Sequence, residues 1–238
     1  MKEDTKGHIH PITQVVNNLI HTFASMGFVV ADGPELENEF YNFDALNIPK
    51  DHPARDMQDT FWIKQKSKDL SNKERLLLRT HTSAVQVRYL EKNKPPVRIV
   101  IPGKVFRNEA TDATHEAQFF QFEGMCVDKN VSLAHLKYIL EHMMRGVFGD
   151  DVEIRFRPSF FSFTEPSVEV DMKWKDKWLE MGGAGLMHPN VLRSAGLDPE
   201  EWQGFAFGFG VDRIAMLKFG IEDVRNLYSG DLRLINQF

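Results

Sequence analysis

Apolar residues at Ile12, Val15, Val16, Leu19, Ile20 and Phe23 step by threes and fours, which lays them along one face of a helix that Gly27 ends. A strand over 28–31 follows and is stopped by Asp32, Gly33 and Pro34. Residues 35–43 read as a helix with Phe40 and Phe43 inward, and 60–64 and 76–79 read as short strands, the first carrying Trp62. Between them the charged stretch 66–75 has the pattern of a solvated hairpin tip. Thr82 or Ser83 caps a helix to about residue 92, where Pro95 and Pro96 stop the chain. Strands at 97–101 and 104–107 flank a Pro-Gly turn. A long strand at 118–127 then makes 104–127 an antiparallel hairpin with a polar tip at 108–117. Leu133, Leu136, Leu140, Met143 and Val147 mark another helix, and strands at 152–157, 169–174 and 177–181 come after it. Strands in runs, with helices between, predict an α+β fold with a mostly antiparallel sheet flanked by helices. With no internal repeat and no long linker, residues 1–238 read as a single domain.

Composition narrows the class without naming it. Hydrophobic residues at 42% and charged residues at 26% are those of a soluble globular protein able to bury a full core. The lone Cys126 excludes a disulfide framework and a Cys-rich zinc site, and it fits a reducing cytoplasm. Its neighbours Met125 and Val127 read it as a buried strand residue rather than a nucleophile. No run approaches the roughly 20 apolar residues of a membrane span, and the start of the chain is no signal peptide. A net charge of −5 means that any nucleic acid contact falls on a local patch or on another chain.

The chemistry concentrates near the C-terminus. At period two, Gly204, Ala206, Gly208 and Gly210 share one strand face, while Phe205, Phe207 and Phe209 share the other. Glycine repeated along one face of a strand needs a reason. A flat ligand lying on that face is one, and another protein element crossing it closely is the other. A helix follows with Arg213 in its first turn, and a cation at a helix start suits a nucleotide with its phosphates.

Three stretches together resemble the class II aminoacyl-tRNA synthetases. The first helix and strand ending at Pro34 resemble their motif 1. Phe106-Arg107-Asn108-Glu109, the loop with His115, and the strand from Phe119 resemble motif 2, and Gly208 to Arg213 resembles motif 3. Within that class, HPARDMQDTFW, LLRTHTSAVQVR, RFRPSFFSFTEPSVEVD and GFAFGFGVDRIAML are similar to the α subunits of bacterial-type phenylalanyl-tRNA synthetases over essentially the whole chain. The resemblance implies activation of L-phenylalanine by ATP with Mg2+, transfer to tRNA(Phe), and an α2β2 assembly with a β subunit in the cytoplasm. Such subunits begin with a long helical N-terminal extension, whereas this sequence starts almost at the catalytic region.

That family assigns roles that physical chemistry supports. In-line attack of a carboxylate on the α-phosphate needs positioning and charge neutralisation more than covalent help. Arg107 is the cation for carboxylate and phosphate, its planar fork suiting both, although an ion pair with Glu109 two residues on is the simpler fate. Glu109 takes the adenine amino group, Phe119 and Arg213 the two adenine faces, His115 the pyrophosphate, with Gly208 and Gly210 beneath. Phe161 and Phe163, at i and i+2 of one strand, clamp the amino-acid ring, or are simply core. Ala206 floors the pocket, Trp62 walls it, and the 182–185 glycine turn lets backbone approach. His81, Ser83, Gln121 and Glu123 hold the α-ammonium. Glu165 and Glu180 are the metal candidates, or else solvated strand-end acids. Rejecting an added hydroxyl from an apolar pocket reaches only about 100-fold, so hydrolytic editing belongs with the β subunit. Two further readings stay open: a paralogue adenylating an amino acid for a non-tRNA acceptor, and a non-catalytic regulatory subunit of the same fold.

Overall fold

The computed structural model describes residues 7–55, 59–67 and 69–238. The first six residues, residues 56–58 of the HPARDMQDTFW stretch and Lys68 of the charged stretch lie outside the described residues. Helix α1 (Pro11–Ser25) forms where the apolar stripe predicts it, with Ile12, Val15, Leu19 and Phe23 buried along one face. Pro11 sits in the first turn, where its missing N–H costs nothing, and His10 Nδ1 accepts the Ile12 N–H at 3.2 Å. Gly27, at φ +80, turns the chain into β1 (Val29–Val30). A small antiparallel sheet follows, β2 (Leu36–Asn38) with β3 (Leu76–Leu78), and α2 (Glu39–Asn42) leads out of β2. Helix α3 (Ala84–Lys92) then returns the chain to the main sheet.

Seven strands cross that sheet in the order β1, β4 (Val97–Phe106), β5 (Gln118–Asp128), β9 (Gln203–Gly210), β8 (Lys177–Met187), β7 (Thr164–Trp174) and β6 (Ile154–Phe161). Only the β1–β4 pair is parallel; the other pairs are antiparallel, as the runs of strands predict. One face packs on α1, α4 (Leu133–Phe148) and α6 (Val211–Phe219). Its centre is aromatic: the Phe23 ring lies 5.2–5.4 Å from Phe28, Phe122 and Phe207. On the opposite face α3 and α5 (Pro189–Ser194) cover one end of the sheet with Val85, Leu90 and Val191. The rest of that face is left for the site. The chain closes with α7 (Leu232–Ile235). Among the described residues, no helix is long and apolar enough to cross a membrane.

Several elements differ from the sequence expectation, each for a local reason. Residues 35–43 begin as a strand, because Leu36 to Asn38 pair with β3 before the helix starts. The 60–64 strand shrinks to one bridge, Trp62 to Leu77. No turn forms at Pro102 and Gly103; β4 runs straight through them. Ala31 N–H donates to Val100 O at 2.9 Å, so alternate residues of β4 address β1, and Pro102 points past the end of that short strand. Its missing donor ends the ladder to β1 at that point without interrupting the pairing of β4 with β5. In the same way Pro158 sits on β6, the outermost strand of the sheet, and Pro166 lies in a register shift of β7, so both strands outrun the predicted 152–157 and 169–174. Residues 182–185 are strand, not turn, and pair with β9 from Gly182–Phe209 to Gly185–Ala206.

Candidate active site

The sheet's open face builds the site by register. Odd-numbered residues of β5 face away from the helices, so Phe119, Gln121 and Glu123 line one cavity of about 1220 Å3. Gln121 stands opposite Gly210 and Glu123 opposite Gly208. A Cβ on Gly208 would lie 3.1 Å from Glu123 Cγ and 3.2 Å from Gln121 Nε2, so this glycine makes room for those two side chains. At Gly204 the room is filled by Met187 Sδ, 2.6 Å from a built Cβ. Only Gly210 leaves the face open, with Arg213 Cβ 4.0 Å away. A crossing protein group therefore explains the bareness at Gly204, while the face over Gly210 is open.

The buried end is polar. Glu123 is 3% exposed and accepts a hydrogen bond from Gln86 Nε2 at 3.0 Å. Burial pushes its pKa up to about 7, although hydrogen bonds from Ser83 and Gln86 pull the other way. Ser83 stands at the cap position of α3 but makes no capping bond, which frees its hydroxyl for that carboxylate. His81 lines the cavity, and among the described residues its buried ring nitrogens make no well-formed hydrogen bond, with the Asn42 backbone only loosely in reach. Burial, then the Arg107 charge, pushes its pKa down to about 3, so the ring is neutral, with one acceptor and one donor to offer. Its neighbour Thr80 is fixed by the fully buried Asn42, whose amide exchanges two hydrogen bonds with it at 3.0 and 3.2 Å.

Phe161 and Phe163 do not share a strand, because the β6–β7 turn falls between them. The turn still stacks their rings, with centroids 5.6 Å apart and 9° between planes. Phe161 lies over Gly183, whose built Cβ would come within 2.7 Å of Cζ. Thus the 182–185 glycines do allow close approach, at this position to a ring of the protein. Ala206, 8% exposed, closes the cavity floor. Trp62 lies outside the cavity: it packs 6.1 Å from Phe43, beneath the Arg75 guanidinium at 4.0 Å.

The other end is built from loop. Arg107 follows β4 and its N–H donates to Ala117 O at 2.9 Å, closing the hairpin loop. Its guanidinium carbon stands 5.0 Å from the Phe119 ring centre, and Nε donates to Thr80 O at 3.3 Å. Burial lowers its pKa, against the pull of Glu109, yet no ion pair forms with Glu109, which stays exposed on the cavity wall. His115 is exposed at the tip, its Nδ1 3.0 Å from Asp112. Arg213 lines the cavity beside Gly210. Asp212, one residue before it, is buried, and burial pushes its pKa up to about 6. Glu180 lies at the rim, whereas Glu165 opens on an adjoining groove, 3.6 Å from His188.

Gln86, Asn42 and Asp212 are the polar residues that spacing alone missed. Gln86 carried one signal, a lone amide among Ala84, Val85, Val87 and Leu90 on a mostly apolar helix.

The model of the family described as "tRNA synthetases class II core domain (F)" matches residues 1–238. The phenylalanine–tRNA ligase alpha subunit of Rhodopirellula baltica is 52% identical over 240 residues, covering 98% of this chain and 69% of that protein. That of Bacillus subtilis is 51% identical over 246 residues, with the same coverage of each. The crystal structure of pyrrolysyl-tRNA synthetase from Desulfitobacterium hafniense superposes with a TM-score of 0.70 over 92% of this chain and 73% of that one. At 17% identity that likeness shows the fold alone. With the fold, the full-length family match and relatives at half identity all in agreement, the chain belongs to the class II aminoacyl-tRNA synthetases, among the phenylalanine–tRNA ligase alpha subunits.

Proposed function

We propose that this chain is the catalytic chain of a phenylalanine–tRNA ligase, activating L-phenylalanine with ATP and passing it to tRNA(Phe). The observation that carries this reading is one cavity with a stacked phenylalanine pair and buried Glu123 at one end, and Arg107, Phe119 and Arg213 at the other. The α-ammonium of the amino acid meets Glu123, Gln121, Ser83 and neutral His81, and its ring lies against Phe161 and Phe163 over Ala206. Glu123 holds a proton for part of the time near pH 7, and an arriving ammonium draws that proton off. Arg107, between the two ends, directs the carboxylate at the α-phosphate. One carboxylate C–O–P bond forms, the bond to the β-phosphate bridging oxygen breaks, and pyrophosphate leaves. Glu109 accepts from the adenine amino group, Phe119 and Arg213 hold the adenine, His115 covers the pyrophosphate, and Gly210 keeps backbone close to the nucleotide while Gly208 makes room for Gln121 and Glu123.

Among the described residues no cluster of three or more His, Cys, Asp or Glu forms a closed metal site. Mg2+ takes one or two carboxylates and draws its remaining ligands from phosphates and water. Glu180 at the rim would hold it there, and bound it would neutralise phosphate charge. Glu165, on the adjoining groove, would need donors from another chain. A partner is supported by Val29 and Val30, 53% and 50% exposed on β1 at the end of the main sheet, by Leu36, 48% exposed on β2, and by Phe160, 84% exposed on the groove with Glu165. We assign these two surfaces to an α2β2 assembly with a β subunit, around one catalytic domain spanning 1–238. No observation favours a non-tRNA acceptor or a non-catalytic role.

Phenylalanine-dependent ATP–pyrophosphate exchange tests the reading, first on the chain alone and then with a β subunit added. Phenylalanine, not leucine, should drive exchange, and Arg107→Ala should lower it about 100- to 1,000-fold. Exchange indifferent to the amino acid, or none even with the partner, would overturn it.

A further inference from the structure

The segment after α6 has no role in the reading above, yet it reaches the nucleotide end of the cavity at two points. Val224 N–H donates to Ala113 O at 2.9 Å, on the hairpin loop two residues from His115. Tyr228 O–H donates to Asp212 Oδ1. The other oxygen of Asp212 accepts the Phe120 N–H at 2.7 Å. Phe120 is the first β5 residue beyond the β9 ladder, which ends at Gln121–Gly210, so its N–H has no strand partner. The carboxylate takes the place of the missing strand residue. Asp212 is 4% exposed and makes no close ion pair among the described residues, with only the weak pull of His10 acting on it as a cation. A buried carboxylate without a cation is costly unless its hydrogen bonds hold something in place. Here they hold α6, which carries Arg213, to β5, which carries Phe119. The segment is itself anchored, with Val224 and Leu227 buried and Leu227 O accepting from His10 Nε2 at 2.9 Å.

We propose that Asp212 and Tyr228 are positioning residues for the nucleotide: with Val224 they fix Phe119, Arg213 and the loop bearing Glu109 and His115 in one adenosine-binding geometry. The proposal rests on the assignment of this end of the cavity to ATP. Neither residue touches the reacting atoms, so the effect belongs in ATP binding and not in amino-acid binding. Tyr228→Phe, which removes one hydroxyl, should raise the KM for ATP about five- to tenfold in pyrophosphate exchange. Asp212→Asn, which keeps the shape but not the charge, should raise it further. The KM for phenylalanine should stay within about twofold in both, and amide hydrogen exchange over residues 108–120 should speed up.

A role confined to stability would lower the melting temperature and leave both KM values unchanged, and that result overturns the proposal. So does an equal rise in both KM values. If the parent protein shows no phenylalanine-dependent exchange even with a β subunit added, the ATP reading has failed. Amide exchange then decides the matter alone: faster exchange over 108–120 in both variants supports the bracing role, and unchanged exchange overturns it.

Discussion

The two ends of the cavity are built on different principles. At the end assigned to the amino acid, Gln121 and Glu123 project from a strand and Gln86 from a helix, with His81 and Ser83 on the short turn before α3, and Glu123, Gln86 and Ser83 are each under 9% exposed. At the nucleotide end Glu109 and His115 are exposed on a loop, held by Asp112 at the tip and by residues over a hundred positions further along the chain. The contrast matches what each proposed ligand requires. Phenylalanine differs from its competitors by small groups in an apolar pocket, so selecting it needs walls that do not yield. ATP carries its own charges and hydrogen-bonding edges, and a loop that closes on them is sufficient.

Glu123→Gln should break the comparison hardest. Losing the charge opposite the ammonium should raise the KM for phenylalanine about 10- to 100-fold, with the KM for ATP little changed. The parent protein should show that KM falling as pH rises through 7, and the variant should not. Stability runs the other way. The folded-state pKa of Glu123, about 7, lies above its unfolded value. Its contribution is therefore full below the unfolded pKa near 4.5 and lost as pH rises through 7, on the order of 1–3 kcal/mol. Thermal melts of the two proteins between pH 5 and 8, without ligand, should converge at low pH and separate at high pH.

Two glycine substitutions sharpen the contrast. Gly183→Ala puts a methyl 2.7 Å from Phe161 Cζ, so the ring must move. The expected result is a roughly tenfold higher KM for phenylalanine, from overpacking of about 1–3 kcal/mol. Gly210→Ala meets only Arg213 Cβ at 4.0 Å, so the fold should tolerate it, and its cost should appear as a few-fold rise in the KM for ATP. Equal effects of the two on both substrates would remove the distinction between the ends. The smallest effect is expected of Trp62→Phe. That ring lies outside the cavity, and both KM values should stay within about twofold.

What could be read from the residues follows the same division. The apolar stripes of α1 and α4 fixed those helices, because burial on one face is written at local spacing. Alternation placed Gln121 and Glu123 together for the same reason. Three errors came where a residue's meaning depends on a distant neighbour. Pro102 looks like a turn until β1 is known to end before it. The glycines at 182–185 look like a turn until β9 lies beside them. Phe161 and Phe163 meet, but around a hairpin turn rather than along one strand. Asp212 and Tyr228 left no local trace, since sixteen positions of chain separate two ends of one hydrogen bond.

The alternation of β5 also governs how this protein can change its length. Phe120, Phe122 and Cys126 pack toward the helices, while Phe119, Gln121 and Glu123 face the cavity. Inserting a single residue within the strand would exchange the two sets, sending Gln121 and Glu123 into the aromatic layer and a phenylalanine into the cavity. The same holds for β9, where Phe207 and Phe209 alternate with Gly208 and Gly210. Through this region descendants of the sequence can diverge by substitution but not by insertion or deletion. The exception is the hairpin loop between 107 and 117, beyond the last paired residues, where an added residue shifts no register.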